Sequence, residues 1–189
     1  MSRQGVPSFF IVQVRSHLTR FFHLPPELPA RSEEEVEAIL NDGYDLSEGR
    51  EAMRWVLENR PDYEHASAYR RFLLKWDLYQ DAKRAINVQQ FETALMSLDT
   101  ILTMDDEDPS AHYHEGIVYR YLYRFPDSEL SLRRCLGLYP ECAIGHRALG
   151  FTLAYLDRKA EAIAELETAL VGLPGDPDTL RALSEIRAQ

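Results

Sequence analysis

The amino-acid sequence predicts an all-α protein built from about three helix-turn-helix repeats, with helical segments before them and a capping helix after them. Three observations carry this expectation. The segment HRALGFTLAYLDRKAEAIAELETALVGLPG, from His146 to Gly175, matches the preceding sequence when moved back by 34 residues, the period of a stacked helix pair. At that offset Gly150 falls on Gly116 and Ala82, and Ala162 falls on Ser128 and Ala94. Leu166 falls on Leu132 and Leu98, Ala169 on Cys135 and Ile101, and Pro174 on Pro140. The small residues sit inside apolar helical patterns, where they let two helix axes approach closely. Gly150 costs up to about 1 kcal/mol of helix propensity relative to alanine, so close packing must return at least that much.

Taken in chain order, residues 8–22 (SFFIVQVRSHLTRFF) place Phe10, Val14, Leu18 and Phe21 on one helical face, with Ser8 as its cap. A strand over FFIVQV is the competing reading. LPPELPA (24–30) is a linker. Ser32 with Glu35 forms a capping-box pattern opening a helix to about Leu40. NDGYD is a turn, and a further helix runs from Asp45 or Ser47 to near Asn59. Pro61 restarts the chain, and the pattern from Asp62 to Asn87 is helical without a breaker. Residues 1–29 are thus expected to form an amphipathic segment with a Pro-rich linker. Residues 30–74 are expected to form a helical extension, and residues 75–189 the repeat domain. At the end, Asp176 caps a helix with Pro177 at its first position. There Leu180, Leu183 and Ile186 are expected to face inward. Such a terminal helix covers the apolar face that a last repeat cannot cover itself.

Composition narrows the function. The chain has 31 acidic against 21 basic residues, a formal net charge of −10, which disfavours nucleic acid and anionic membrane as partners. Basic character is local: Arg3, Arg15 and Arg20 precede the first acid, Glu27. The two cysteines, Cys135 and Cys142, are too few for a disulfide scaffold. A cytoplasmic location with both reduced is expected. No apolar stretch approaches the ~20 residues needed to span a bilayer, and Gln13 with Arg15 interrupts any secretory signal.

The repeated columns resemble the tetratricopeptide repeat (TPR) family, whose pattern is W-x2-L-G-x2-Y, then A-x3-F-x2-A, then P. The third copy supplies Leu149, Gly150, Leu153, Ala162, Leu166, Ala169 and Pro174. The second supplies Gly116, Tyr119, Ser128, Leu132, Cys135 and Pro140, and the first supplies Ala82, Ala94, Leu98 and Ile101. The tryptophan column departs from the pattern, holding Leu78, His112 and His146, and the first copy ends in DDEDP without the closing proline.

The resemblance implies a right-handed array whose concave face, lined by the first helix of each repeat, holds a peptide or helix of another protein. Helical spacing then names the lining. It comprises Trp76, Tyr79, Lys83 and Ile86 from the first repeat and Tyr113, Ile117, Arg120 and Tyr121 from the second. Arg147, Phe151 and Tyr155 come from the third. Aromatic rings and arginines commonly carry binding energy, and this set suits a peptide with apolar anchors and some acid. The lysine-asparagine-arginine carboxylate clamp of one TPR subclass is not reproduced, although Lys83 and Arg147 are cationic.

The expected function is therefore a protein-interaction scaffold, adaptor or chaperone. Two alternatives stand beside it. Bacterial type III translocator chaperones are similar in size, acidity and in having helices before three repeats. A self-assembling module joined through residues 8–22 would give a homo-oligomer. No cofactor, metal site or enzymatic activity is expected. His112 and His114 point to different helix faces, two cysteines do not make a zinc site, and DDEDP lacks the glycine of a calcium loop. The shared column of His112 and His146 argues for a structural role, with Glu115 one turn after His112 as a partner.

Overall fold

The computed structural model describes residues 66–188, together with Arg54, Leu57, Glu58 and Asp62. The expectations for residues 8–22, the 24–30 linker and the helices of 30–61 lie outside the described residues. Residues Lys75–Gln189 form one compact unit.

Seven helices follow one another over 66–188. They are α1 (Ala66–Asn87), α2 (Phe91–Met104), α3 (Pro109–Tyr121), α4 (Phe125–Leu138), α5 (Ala143–Tyr155), α6 (Lys159–Gly172) and α7 (Pro177–Ala188). The described residues contain no strand. The pairs α3–α4 and α5–α6 are repeats, and α7 packs on α6 and α5; α1 supplies the first helix of the copy that α2 completes, Ala82 and Ala85 sharing a core cluster with Ala94, Leu98 and Ile101.

The repeat columns form the core. Ala82, Ala94, Leu98, Ile101, Leu132, Leu153, Ala162, Leu166 and Ala169 are fully buried. Gly116 and Gly150, the repeat-column glycines of α3 and α5, sit where a side chain has no room. A Cβ on Gly116 would lie 2.6 Å from Leu132 Cγ and 3.2 Å from the Ser128 carbonyl oxygen. One on Gly150 would lie 2.6 Å from Leu166 Cγ and 3.2 Å from the Ala162 carbonyl oxygen. Each glycine therefore brings the first helix of a repeat down onto the small residue and leucine of its second helix.

The turn inside each repeat also recurs at the same step. Gln89, Tyr123 and Asp157 have positive φ of 59°, 58° and 57°. The next N–H closes the turn each time: Gln90 to Ala85 O at 2.8 Å, Arg124 to Tyr119 O at 2.9 Å, and Arg158 to Leu153 O at 3.0 Å. A left-handed residue just past a helix commonly ends it this way, here without glycine.

The histidines in the tryptophan column are structural. His112 Nε2 hydrogen-bonds the Asp106 carbonyl at 2.9 Å, and His146 Nε2 the Pro140 carbonyl at 2.8 Å. Each ring thus ties its helix to the turn before it. His146 Nδ1 also reaches Glu165 at 2.6 Å, and His112 Nδ1 lies 3.8 Å from Glu115. In α7 the inner stripe is Thr179, Leu183 and Ile186. Thr179 is fully buried, whereas Leu180 is 49% exposed, contrary to expectation. The reason is the cap: Asp176 accepts from Thr179 N at 2.9 Å and Thr179 Oγ1 at 2.6 Å, which turns Thr179 inward.

Candidate peptide-binding groove

The first helices α1, α3 and α5 repeat the same columns, so the sequence-predicted lining falls into rows. The row Tyr79, Tyr113, Arg147 lies in the N-terminal half of the repeat's first helix. Lys83, Ile117 and Phe151 lie one turn further on, and Tyr121 and Tyr155 stand at the C-terminal ends of α3 and α5.

The N-terminal row is occupied by contacts between copies. Two of its three members, Tyr79 and Arg147, reach the residue 29 positions later, at the cap of the helix that follows in the column. Tyr79 Oη donates to Asp108 Oδ1 at 2.6 Å, and Arg147 Nη1 donates to Asp176 Oδ1 at 2.9 Å. Asp108 caps α3 by accepting from Ser110 N and Ala111 N at 2.9 and 3.0 Å. Lys75, a residue the groove reading did not include, pairs with Asp108 and reaches Asp105 at 2.7 Å. Burial opposes ionisation of Asp108, but the Lys75 ammonium and the hydrogen bonds from Lys75, Tyr79 and Ala111 hold its carboxyl below its ordinary 3.8. Burial and the adjacent Asp108 push the Tyr79 phenol well above its ordinary value, so it serves as a donor. The signal for this clasp was present in the 34-residue register, which aligns Asp108, Cys142 and Asp176.

His114 fills the space between the first two members of this row. Its ring lies 5.9 Å from Tyr79 and 5.2 Å, edge-on, from Tyr113, and its Nδ1 hydrogen-bonds the Ser110 carbonyl at 2.7 Å. Burial lowers its pKa, with Lys83 contributing in the same direction, so the ring is neutral near pH 7. Tyr113 and Ile117 pack on the second core cluster, and Ile86 on the first. Trp76 is half-buried on α1.

The C-terminal half of the row set is open. Lys83 is exposed. The Arg120 guanidinium lies over the Phe151 ring at 5.7 Å and the Tyr121 ring at 5.9 Å, which joins the second repeat to the third. Tyr121 stacks on Phe91 (centroids 5.4 Å, planes 11° apart) and remains 51% exposed. Tyr155 stacks on Phe125 (4.7 Å, 8°) and remains 67% exposed. Each pair joins the end of one first helix to the start of the preceding repeat's second helix, at the same step. Offset-stacked rings hold one another in place, so the exposed tyrosine faces are pre-oriented.

Among the described residues, no group of three or more His, Cys, Asp or Glu side chains could hold a metal ion. No helix among them is long and apolar enough to cross a membrane. A shallow hollow between α6 and α7, lined by Leu170, Leu180 and Leu183 with Glu167 and Arg187 at its rim, lies outside the groove columns.

No protein-family profile and no curated protein sequence matches the chain. Solved structures do. The first TPR of Spaghetti (RPAP3), bound to the HSP90 peptide SRMEEVD, is 16% identical with a TM-score of 0.59, covering 60% of this chain and 90% of that one. MamA is 17% identical with a TM-score of 0.56, covering 81% and 80%. The Yersinia enterocolitica type III secretion translocator chaperone SycD is 14% identical with a TM-score of 0.52, covering 59% and 77%.

Proposed function

We propose, for a chain that has the tetratricopeptide-repeat fold, that it is a protein-interaction scaffold. Its ligand is a partner segment bearing apolar anchors and one or two carboxylates. The observation that carries this reading is the division of the first-helix face. Tyr79 and Arg147 are held by the caps Asp108 and Asp176, while Lys83, Arg120, Tyr121, Phe151 and Tyr155 form a row of cations and pre-oriented rings without an acidic member. Aromatic and arginine side chains in such a setting are the residue types that dominate binding energy. That RPAP3 is solved with a bound peptide adds support from a similar fold.

The test is capture from an extract of the native cell, comparing wild type with an Arg120→Ala/Phe151→Ala double variant of equal helicity. Loss of two central contacts at about 2 kcal/mol together should weaken a specific partner roughly 30-fold. Equal recovery of the same partner by both proteins would refute the groove assignment. A second reading, a chaperone for a secreted translocator, is favoured by the likeness to SycD and by the acidic net charge of −10. It requires that the captured partner be a membrane-active secreted protein. Capture of a partner of any other kind leaves the scaffold reading and removes this one.

A further inference from the structure

The cap column differs in one copy. At 108 and 176 it holds aspartates whose carboxylates take up the N–H groups at the start of α3 and α7. At 142 it holds a cysteine, at the N-cap of α5. Its neighbour Cys135 lies in the last turn of α4, and the turn between them is pinned by the backbone. Tyr139 N donates to Cys135 O at 2.8 Å, and Cys142 N donates to Tyr139 O at 3.2 Å. The Cys135 and Cys142 side chains are neighbours across this turn, close enough to interact. Both thiols are free. In the other copies the same two columns hold Ile101 with Asp108 and Ala169 with Asp176, so only this turn carries two sulfurs.

We propose that Cys135 and Cys142 form a reversible dithiol–disulfide site, with Cys142 as the attacking thiolate and Cys135 as the resolving thiol. The Cys142 sulfur sits over the start of α5, 3.2 Å from where a Cβ on Gly145 would lie, so the glycine at 145 leaves it space. An anion at a helix N-terminus is favoured by the aligned peptide dipoles, as the two aspartates of the column illustrate. The neighbouring Cys135 thiol is the main cause lowering the Cys142 pKa. Burial opposes it, while the peptide groups at the start of α5 and His146 assist, although the Cys142 side chain makes no cap hydrogen bond. The Cys142 side chain and burial raise that of Cys135. Access follows the same division: Cys142 is 8% exposed and Cys135 1%.

With hydrogen peroxide as oxidant, the Cys142 thiolate attacks one peroxide oxygen. The O–O bond breaks, hydroxide leaves and takes a proton to become water, and Cys142 becomes a sulfenic acid. Cys135 sulfur then attacks the Cys142 sulfur. The S–OH bond breaks, the Cys135 proton leaves with the hydroxide as a second water, and a disulfide forms. Two electrons pass from the thiols to the peroxide, and an external dithiol restores the pair by exchange.

The experiment uses the full chain, which contains no other cysteine. After limited peroxide treatment, thiols are counted in denaturant and the intact mass is measured. Loss of both thiols in a monomer about 2 Da lighter, reversed by dithiothreitol, is the expected result. In Cys135→Ser the sulfenic acid at Cys142 should persist and be trapped by dimedone. In Cys142→Asp, which installs the residue of the other two caps, Cys135 should resist native alkylation. The wild-type measurement decides the matter even if a variant fails to fold. Over-oxidation of Cys142 with Cys135 still free, a disulfide joining two chains, or thiols inert until the protein is unfolded would each overturn the proposal.

Discussion

Replacing Gly150 with alanine sets two effects of known sign against each other. Alanine gains about 1 kcal/mol of helix propensity in a helix interior. The new methyl would lie 2.6 and 2.7 Å from two carbons of Leu166, which is fully buried, and 3.2 Å from the Ala162 carbonyl. The carbonyl belongs to the backbone of α6 and cannot move alone, and Leu166 is fully buried among core side chains. Over-packing of this kind costs about 1–3 kcal/mol. Because two neighbours must yield, the upper part of that range applies, and the net loss is about 1–2 kcal/mol after the propensity gain. Gly137→Ala is the internal control. It lies near the end of α4, with nothing within 4 Å of the added Cβ, so it keeps the gain without the collision and should stabilise by up to about 1 kcal/mol. Urea unfolding followed by far-UV circular dichroism separates the two. Shortening the neighbour, as in Gly150→Ala/Leu166→Val, should recover part of the loss and register as coupling in a double-mutant cycle. If Gly150→Ala proves as stable as Gly137→Ala, close nesting is not the reason for the glycine.

Lys75→Met removes the cation from a cluster in which the Lys75 and Asp108 side chains are only 11% and 8% exposed, and should cost about 3 kcal/mol. Asp108 has a lowered folded pKa, so its contribution is present above the ordinary 3.8 and is lost as pH falls through the folded value. Without Lys75 the opposing effect of burial prevails, and acid unfolding should begin at a higher pH; an unchanged acid midpoint would count against the clasp. Gln89→Gly relieves a left-handed residue (φ 59°) that is exposed and should stabilise by about 0.5–1 kcal/mol. Gln90→Gly, at φ −90°, should not, and thermal melts of the two variants decide it.

The fold was legible because its signal is periodic. Gly116, Gly150, Ala162, Leu166 and Leu132 recur at one step, and the burial of each follows from two helices nesting at that point. The intra-repeat turns were not legible, since Gln89, Tyr123 and Asp157 have no common chemistry; the turn is imposed by the close helix pair rather than by a residue preference. Leu180 misled for a related reason. An apolar stripe through 180, 183 and 186 and a stripe through 179, 183 and 186 are both helical, and only the hydrogen bonds of Asp176 choose between them. The expected lining residues lie on α1, α3 and α5. Which members were committed elsewhere depended on distances between residues 29 apart, which helical spacing cannot supply.

That division constrains what a partner can be. With Arg147 held by Asp176, the cations left on the open half are Lys83 and Arg120, and Arg120 already lies against Phe151 and Tyr121. Two cations, one of them engaged with rings, cannot supply a charge-dominated site on a chain of net charge −10. At about 0.15 M salt, charges further away than about 8 Å are largely screened. Attraction from the row is therefore local, and repulsion from the rest of the surface is weak but general. Affinity on this reading must come mainly from burying the faces of Tyr121, Phe151 and Tyr155, with carboxylates setting the register of the bound segment. The stacked partners Phe91 and Phe125 matter here although neither need touch the ligand. They fix the ring planes before binding, so little side-chain freedom is lost when a partner covers them. The step that makes the array fold, one copy laid on the next at a fixed interval, is also what places these rings in a row.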